Sequence, residues 1–520
     1  MSHQHRRCFV LLLCIFLMAT CVVPFHANAQ EDTAADISQN VVLSGNAYQN
    51  YDFLVDKNTG NYRKSAENGT ITIESPTDIG SVYLLFDLEY NRYQITDNET
   101  GTVFTAGENS FLHEFVDLTK LFGSDVNSIT ITFSGDPVSL SEIYVFSPGN
   151  VPDFVQQWNA PLDSRADMVL FSTHADDDQL FFAGLLPLYA GERNYAVQVV
   201  YLTDHRNLTN GRTHELLNGL WAVGVRAYPI WGNYADFRID DLEKTYQRYE
   251  AYHVTREELL EFVVKQLRRF RPQVAIGHDI QGEYGHGMHM MYTDLLIKAL
   301  DICNDPEAFP ELAQKYGTWQ VPKTYLHLYG KNQIVLNYDE PLNTFDGMTA
   351  FQVSQKLGYP CHKSQQYTWF TKWINGSNNE ITKASEISTY NPCQFGLYRS
   401  HVGNDVAKND FMENIVSYAE QARLEEEKRL EEEKRKEEEQ LELERQQEEE
   451  RRKQEEEQKR LEAEKAAQEA LRQQEALEKA LLEKQQHARR MLYIAITLFI
   501  VSMIGLILLL RMRYHKISKK

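Results

Sequence analysis

The chain has 520 residues, with 53 Lys and Arg against 74 Asp and Glu and a net charge of −21. At ~100–200 residues per domain that length allows roughly two to four domains. The acidity argues against nucleic acid as the main partner, since phosphate binding needs a basic face, and six cysteines are too few for a disulfide scaffold.

Residues 1–29 carry Arg6 and Arg7, an apolar run from Phe9 to Val23, and Ala27-Asn28-Ala29. That is the layout of a cleaved secretory signal peptide. Residues 30–150 read as an all-β sandwich. Thr70–Glu74 and Asn127–Phe133 alternate polar and apolar, Val82–Asp87 is a short apolar run, and Gly, Asn, Asp and Pro punctuate them. Its tyrosines and asparagines suit sugar binding as well as they suit a packing module.

From 151 to 415 the rhythm changes. Met168–Thr173, Ala196–Leu202, Val225–Trp231 and Gln273–Gly277 read as four buried strands. Helical patterns follow Gln179 and cover Glu215–Val223 and Glu257–Phe270. Strands alternating with helices predict an α/β fold, a Rossmann-like, mostly parallel sheet with helices on both faces. In such sheets the site lies beyond the carboxyl ends of the strands. Cys361 and Cys393 are candidates for pairing outside the cell, a point that spacing does not settle.

Residues 416–490 are rich in Glu, Arg and Lys. From Glu420 to Arg490 there are 24 Glu and 18 Lys and Arg, with no Pro or Gly. Glu followed about four residues later by Lys or Arg supports a long charged helix, solvated and single or paired as a weak coiled coil that would allow self-association. Met491–Leu510 is twenty residues without a charge, the length of one transmembrane helix. The basic tail at 511–520 places the C-terminus on the cytoplasmic side and the bulk of the chain outside the cell membrane. The remaining ectodomain, residues 30–419, holds 28 bases against 50 acids. Its net charge of −22 favours a neutral or cationic substrate over an anionic polymer.

The chemistry-bearing residues sit at two strand ends. His174-Ala175-Asp176-Asp177-Asp178 directly follows the first strand, and Tyr284-Gly285-His286-Gly287-Met288-His289 comes soon after the fourth. Alone, three aspartates suit a solvated loop, a helix start or the D-x-D metal motif of nucleotide-sugar transferases. His174 beside them, with a second His-containing loop, favours a zinc site of His and carboxylate ligands, in which a spare carboxylate acts as general base.

These motifs resemble those of the PIG-L/LmbE-like zinc-dependent N-acetylglucosaminyl deacetylases. The resemblance covers about 150–415 and includes Arg212-x-x-Glu215 and His362-Lys363-Ser364-Gln365. It implies Zn2+ bound by His174, Asp177 and His289, with Asp176 as general base. It further implies that Tyr284 and His286 stabilise the oxyanion and assist proton transfer, and that Arg212 contacts substrate. The family's His-Pro-Asp-Asp-Glu stands here with Ala175 and Asp178, and its His-Pro-Asp-His with Gly287 and Met288. The last change removes a carboxylate of the kind that orients metal ligands. The expectation is a membrane-anchored, extracytoplasmic zinc hydrolase that removes the acetyl group from an N-acetylated sugar, glycan or glycolipid. The rival expectation is a non-catalytic glycan-binding surface protein on a degenerate deacetylase fold.

Overall fold

The computed structural model describes residues 33–203, 211–365, 370–376 and 380–517. The signal segment at 1–29, the aromatic Trp369 and the last tail residues Lys519 and Lys520 lie outside them. The described residues up to Ala422 form one compact unit, and Arg423 onward form a second.

The first unit opens with nine strands: β1 (Val42–Gly45), β2 (Arg63–Lys64), β3 (Thr70–Ile79), β4 (Ser81–Phe86), β5 (Tyr93–Asp97), β6 (Val103–Ala106), β7 (His113–Asp117), β8 (Val126–Phe133) and β9 (Ser139–Phe146). They make two antiparallel sheets, ordered β1-β3-β8-β5-β6 and β2-β9-β4-β7. The alternation in β3 and β8 has a direct cause. Ile71 pairs with Ile131 and Ile73 with Ile129, all fully buried, while Thr72 and Thr130 share a hydroxyl hydrogen bond on the other face.

The second part of this unit is a seven-stranded sheet. It comprises β10 (Met168–Ser172), β11 (Val197–Thr203), β12 (Ile230–Tyr234), β13 (Val274–Gly277), β14 (Lys323–His327), β15 (Gln333–Val335) and β16 (Gln394–Ser400). Its order is β12-β11-β10-β13-β14-β16-β15, with the first five parallel and the last two antiparallel. Burial on both faces explains why β10 and β11 read as unbroken apolar runs. Leu170 and Val199 enter the core shared with the β module, while Val169, Phe171 and Val200 pack under helices on the opposite face. The helices that matter to the site are α1 (Gly211–Ala222), α2 (Leu242–Ala251), α3 (Arg256–Phe270) and α4 (Gly287–Ile302).

The third parallel strand starts later than the pattern at Val225 suggests. Residues 226–228 give their backbone to Asn159 instead: Asn159 N–H donates to the Arg226 carbonyl and Tyr228 N–H to the Asn159 carbonyl. The strand proper begins at Ile230. Cys303, Cys361 and Cys393 are all free thiols.

The chain then enters α5 (Tyr418–Ile517), one unbroken helix of 100 residues. Its charged stretch carries i,i+4 pairs such as Arg423–Glu427 at 2.7 Å and Lys453–Glu449 at 2.8 Å. Its C-terminal stretch is long and apolar enough to cross a membrane by length and composition.

Candidate active site

Strand order reverses between β10 and β13, so the loops leaving their carboxyl ends diverge and open a crevice. Both motifs lie there. From the β10 end, His174 Nδ1 stands 3.0 Å from Asp177 Oδ2. From the β13 side, His289 Nε2 on the first turn of α4 stands 3.1 Å from His174 Nδ1 and 3.2 Å from Asp177 Oδ2. Three donor atoms thus form a nearly equilateral triangle, and all three side chains are buried.

The outer nitrogens decide what the inner ones are. His174 Nε2 faces Asp236 Oδ1 at 3.3 Å, and His289 Nδ1 faces Glu283 Oε2 at 2.7 Å. A carboxylate on one ring nitrogen holds the proton there and leaves the other as a lone pair. Two imidazole lone pairs and a carboxylate oxygen then converge with no donor between them, an arrangement that a cation satisfies. Without one, the carboxylates draw protons instead. Burial opposes charge on His174, but Asp177 and Asp236 carry it up to about 10. Burial likewise opposes charge on His289, but Asp177 and Glu283 carry it up to about 9. Two His and one Asp are a ligand set suited to zinc and its neighbours.

His278 stands close enough to form a second possible set with Asp177 and His289. Its Nε2, however, already accepts from the Thr173 backbone N–H at 3.0 Å, and its Nδ1 faces Glu283 at 2.8 Å. Glu283 is a buried hub. One oxygen serves His278 and His289, and the other meets His327 Nδ1 at 2.6 Å and accepts from Asp279 N–H.

The remaining motif residues surround the triangle. Asp176 is buried beside it, 3.4 Å from an Arg212 guanidinium nitrogen. Burial pushes Asp176 up to about 6 in spite of Arg212. Asp178 turns into the core, where it accepts from Gln179 at 2.6 Å. His286 caps α4: its Nδ1 accepts from Met288 N–H at 3.2 Å, which leaves Nε2 to carry the ring proton. Burial, with His174 and His289 alongside, holds His286 down at about 3, so the ring is neutral. Tyr284 is 40% exposed and sits in left-handed backbone (φ 48°) between two positive-φ glycines. A Cβ at Gly282 would meet the His286 carbonyl at 2.5 Å, which requires glycine in this turn.

Two departures from the family pattern have a local explanation. Gly287 N–H donates to the Ile239 carbonyl at 2.7 Å, and a Cβ there would lie 2.2 Å from Thr245 Oγ1. A proline would lose the bond and collide. Met288 Sδ accepts from Phe237 N–H at 2.9 Å. The segment that leans on α4 in this way also delivers Asp236 to His174. Sequence reasoning missed Asp236, Glu283, His278 and His327. Glu283 directly precedes Tyr284, so an acid in a Gly- and His-rich loop was the available signal. Asp236 stands in no motif.

A cleft of about 810 Å³ is lined by His174, Asp176, Asp177, Arg212, Tyr284 and His286 together with Lys372, Trp373 and Tyr390. The last three come from the excursion between β15 and β16.

The family model described as PIG-L, GlcNAc-PI de-N-acetylase, matches residues 169–300, from β10 through α4. A 1D-myo-inositol 2-acetamido-2-deoxy-alpha-D-glucopyranoside deacetylase of Frankia alni is 27% identical over 173 residues, covering 29% of this chain and 59% of its own. The corresponding protein of Catenulispora acidiphila is 25% identical over 178 residues, covering 30% and 54%. The chain therefore spans less than two thirds of the length of these relatives. An N,N'-diacetylchitobiose deacetylase from Pyrococcus horikoshii aligns over 38% of this chain and 71% of its own, at 20% identity and a TM-score of 0.30. The family match and the named relatives together support a PIG-L/LmbE-like N-acetylglucosaminyl deacetylase family for the α/β domain of this chain.

Proposed function

We propose that this chain is a zinc-dependent N-deacetylase acting on an N-acetylated sugar, glycan or glycolipid. The observation that carries the reading is the triangle of His174 Nδ1, Asp177 Oδ2 and His289 Nε2 with a further carboxylate, Asp176, beside it. His174, Asp177 and His289 would hold the metal, which when bound supplies a Lewis acid for the amide carbonyl and lowers the pKa of water. Asp176 takes the proton of the attacking water, and its raised pKa suits it to pass that proton on to the leaving amine. The Tyr284 hydroxyl and the His286 Nε2–H are donors in the same cleft for the developing oxyanion. Because His286 is held neutral, it serves as a hydrogen-bond donor in the resting enzyme. Arg212, which lines the cleft, contacts substrate. Acetate and a free amine leave.

The same proposal covers the organisation of the chain. Residues 30–150 form a β-sandwich with a possible carbohydrate-binding role and 151–415 form the deacetylase domain. Residues 416–490 form a helical stalk, free to self-associate, and 491–510 anchor the chain in the cell membrane. The signal at 1–29 and the basic tail at 511–520 place the enzyme outside. Support for this topology comes from the composition of the ends and from the apolar stretch of α5.

The test uses the purified full chain. One equivalent of zinc and acetate release from a panel of N-acetylhexosamine substrates are expected. Asp176→Asn should keep its zinc and lose about 10²–10⁴-fold in kcat. Bound zinc without acetate release on any substrate would instead support the glycan-binding reading.

A further inference from the structure

The contact between the β module and the α/β domain contains a hydrogen-bonded chain of buried side chains. The Tyr83 hydroxyl lies 2.7 Å from His113 Nδ1, and His113 Nε2 lies 2.7 Å from His214 Nδ1. Tyr83 and His113 belong to neighbouring strands β4 and β7, and His214 belongs to the first turn of α1. All three are at most 3% exposed.

A Tyr83 hydroxyl proton on His113 Nδ1 with a His113 proton on Nε2 toward His214 Nδ1, or the reverse relay, satisfies both bonds with neutral rings. Among the described residues no carboxylate contacts the pair. The same helix face is tied a second time one turn on. The Gln156 amide donates to Asn218 Oδ1 at 2.6 Å and accepts from Trp158 Nε1 at 2.9 Å. His214 and Asn218 are i,i+4 and share a face.

Arg212 precedes His214 by two residues, about 200° around the helix, and so points away from the seam. It lies in the cleft, 3.4 Å from Asp176, and its Nε has no hydrogen-bond partner among the described residues. The described start of α1 thus carries a substrate-facing guanidinium on one side and the pin from the β module on the other.

We propose that His113 of the β module is a positioning residue for the active site: it pins the first turn of α1 through His214 and thereby sets Arg212 in the cleft. The β module is then a fixed buttress of the enzyme rather than a tethered binding module. This rests on the reading of Arg212 as a substrate contact.

The experiment compares the full chain with His113→Phe, which keeps the ring and loses the bonds, and His113→Gln, which restores a donor. In His113→Phe, KM is expected to rise about tenfold with kcat little changed, because a displaced contact group weakens positioning before chemistry. His113→Gln should recover most of that. In an Arg212→Ala background, His113→Phe should cost less than about twofold more, since the two act through one contact. Additive penalties, or wild-type KM in His113→Phe, would overturn the proposal. Should His113→Phe fail to fold, His214→Phe, which breaks the same bond from the side of α1, takes the same measurements. Hydrogen exchange supplies the second readout: amides of 211–217 should exchange about tenfold faster in the variant while those of β13 hold. If the wild-type chain releases acetate from no substrate, the deacetylase reading fails. The exchange result then decides the pin alone, and unchanged exchange at 211–217 refutes it.

Discussion

Two groups of buried histidines in this molecule meet opposite fates. At the strand ends, His174 and His289 stand among Asp177, Asp236 and Glu283, and both are driven toward the charged form. At the seam between the β module and α1, His113 and His214 touch a tyrosine and each other. Burial, with no carboxylate to offset it, drives His113 well below its usual range and His214 down to about 4. Burial is similar at the two places. What differs is the partner: carboxylates favour charge on one pair, and their absence from the described contacts of the other favours its neutral form.

The largest expected effect tests the first half of that contrast. His289→Ala removes one corner of the triangle and should abolish stoichiometric zinc, together with at least about 10³-fold in kcat/KM. His214→Ala, an equally buried histidine, should leave zinc content at the wild-type level. Metal analysis of the two purified variants side by side decides the matter. Loss of zinc from both would erase the distinction.

A smaller effect is expected where the carboxylate, not the histidine, is changed. Glu283→Gln removes the charge shared by His278, His289 and His327 and puts an amide N–H where an acceptor was. Losing a partner that orients a ligand typically costs about 10–100-fold in metal affinity. Competition with a chelator of known affinity measures it. An unchanged affinity would mean that His289 needs no orienting carboxylate, and the hub would then be purely structural.

The sequence carried these two regions unequally. The triangle was legible because its residues cluster in two short motifs at the ends of apolar runs, and a parallel sheet brings such ends together. Glu283 was within reach of the same reasoning. Asp236 was not: it lies in a loop 62 residues from His174, and a tertiary contact brings it there. The seam was illegible for the same reason. His113 and His214 are 101 residues apart, each a lone histidine in an amphipathic stretch, and nothing local marks them as partners. Strands β3, β4 and β8 and the parallel strands β10, β11 and β13 followed from period and apolar runs, while the other strands of the β module and the parallel β14 did not. The antiparallel edge formed by β15 and β16 did not, because β15 is three residues long and 58 residues, including the short helices Ala350–Val353 and Phe370–Asn375, separate the two.

The contrast also has a sign that pH can read. His214 titrates near 4 when folded and near 6.5 when unfolded, so the folded state favours its neutral form. Its contribution is complete above about pH 6.5 and is lost as pH falls toward 4, on the order of 3 kcal/mol for a shift of that size. His362, buried and held at about 3, adds a loss of the same sign. The metal site does the reverse when stripped. His174 and His289 have folded values raised to about 10 and 9, so their contribution is complete below about pH 6.5 and is lost as pH rises through 9 to 10. Metal-free protein should therefore lose Tm at both ends of the range, measured by circular dichroism. Zinc replaces the protons at the triangle, so loading it should remove the alkaline loss and leave the acid one. Replacing both seam histidines by leucine removes both titrating rings, leaves the Tyr83 hydroxyl without its histidine partner, and should flatten the acid limb by the seam's share, with His362, His286 and the other buried groups supplying the rest. An acid limb unchanged in that double variant would show that the seam histidines do not titrate with folding, and the neutral half of the comparison would fall.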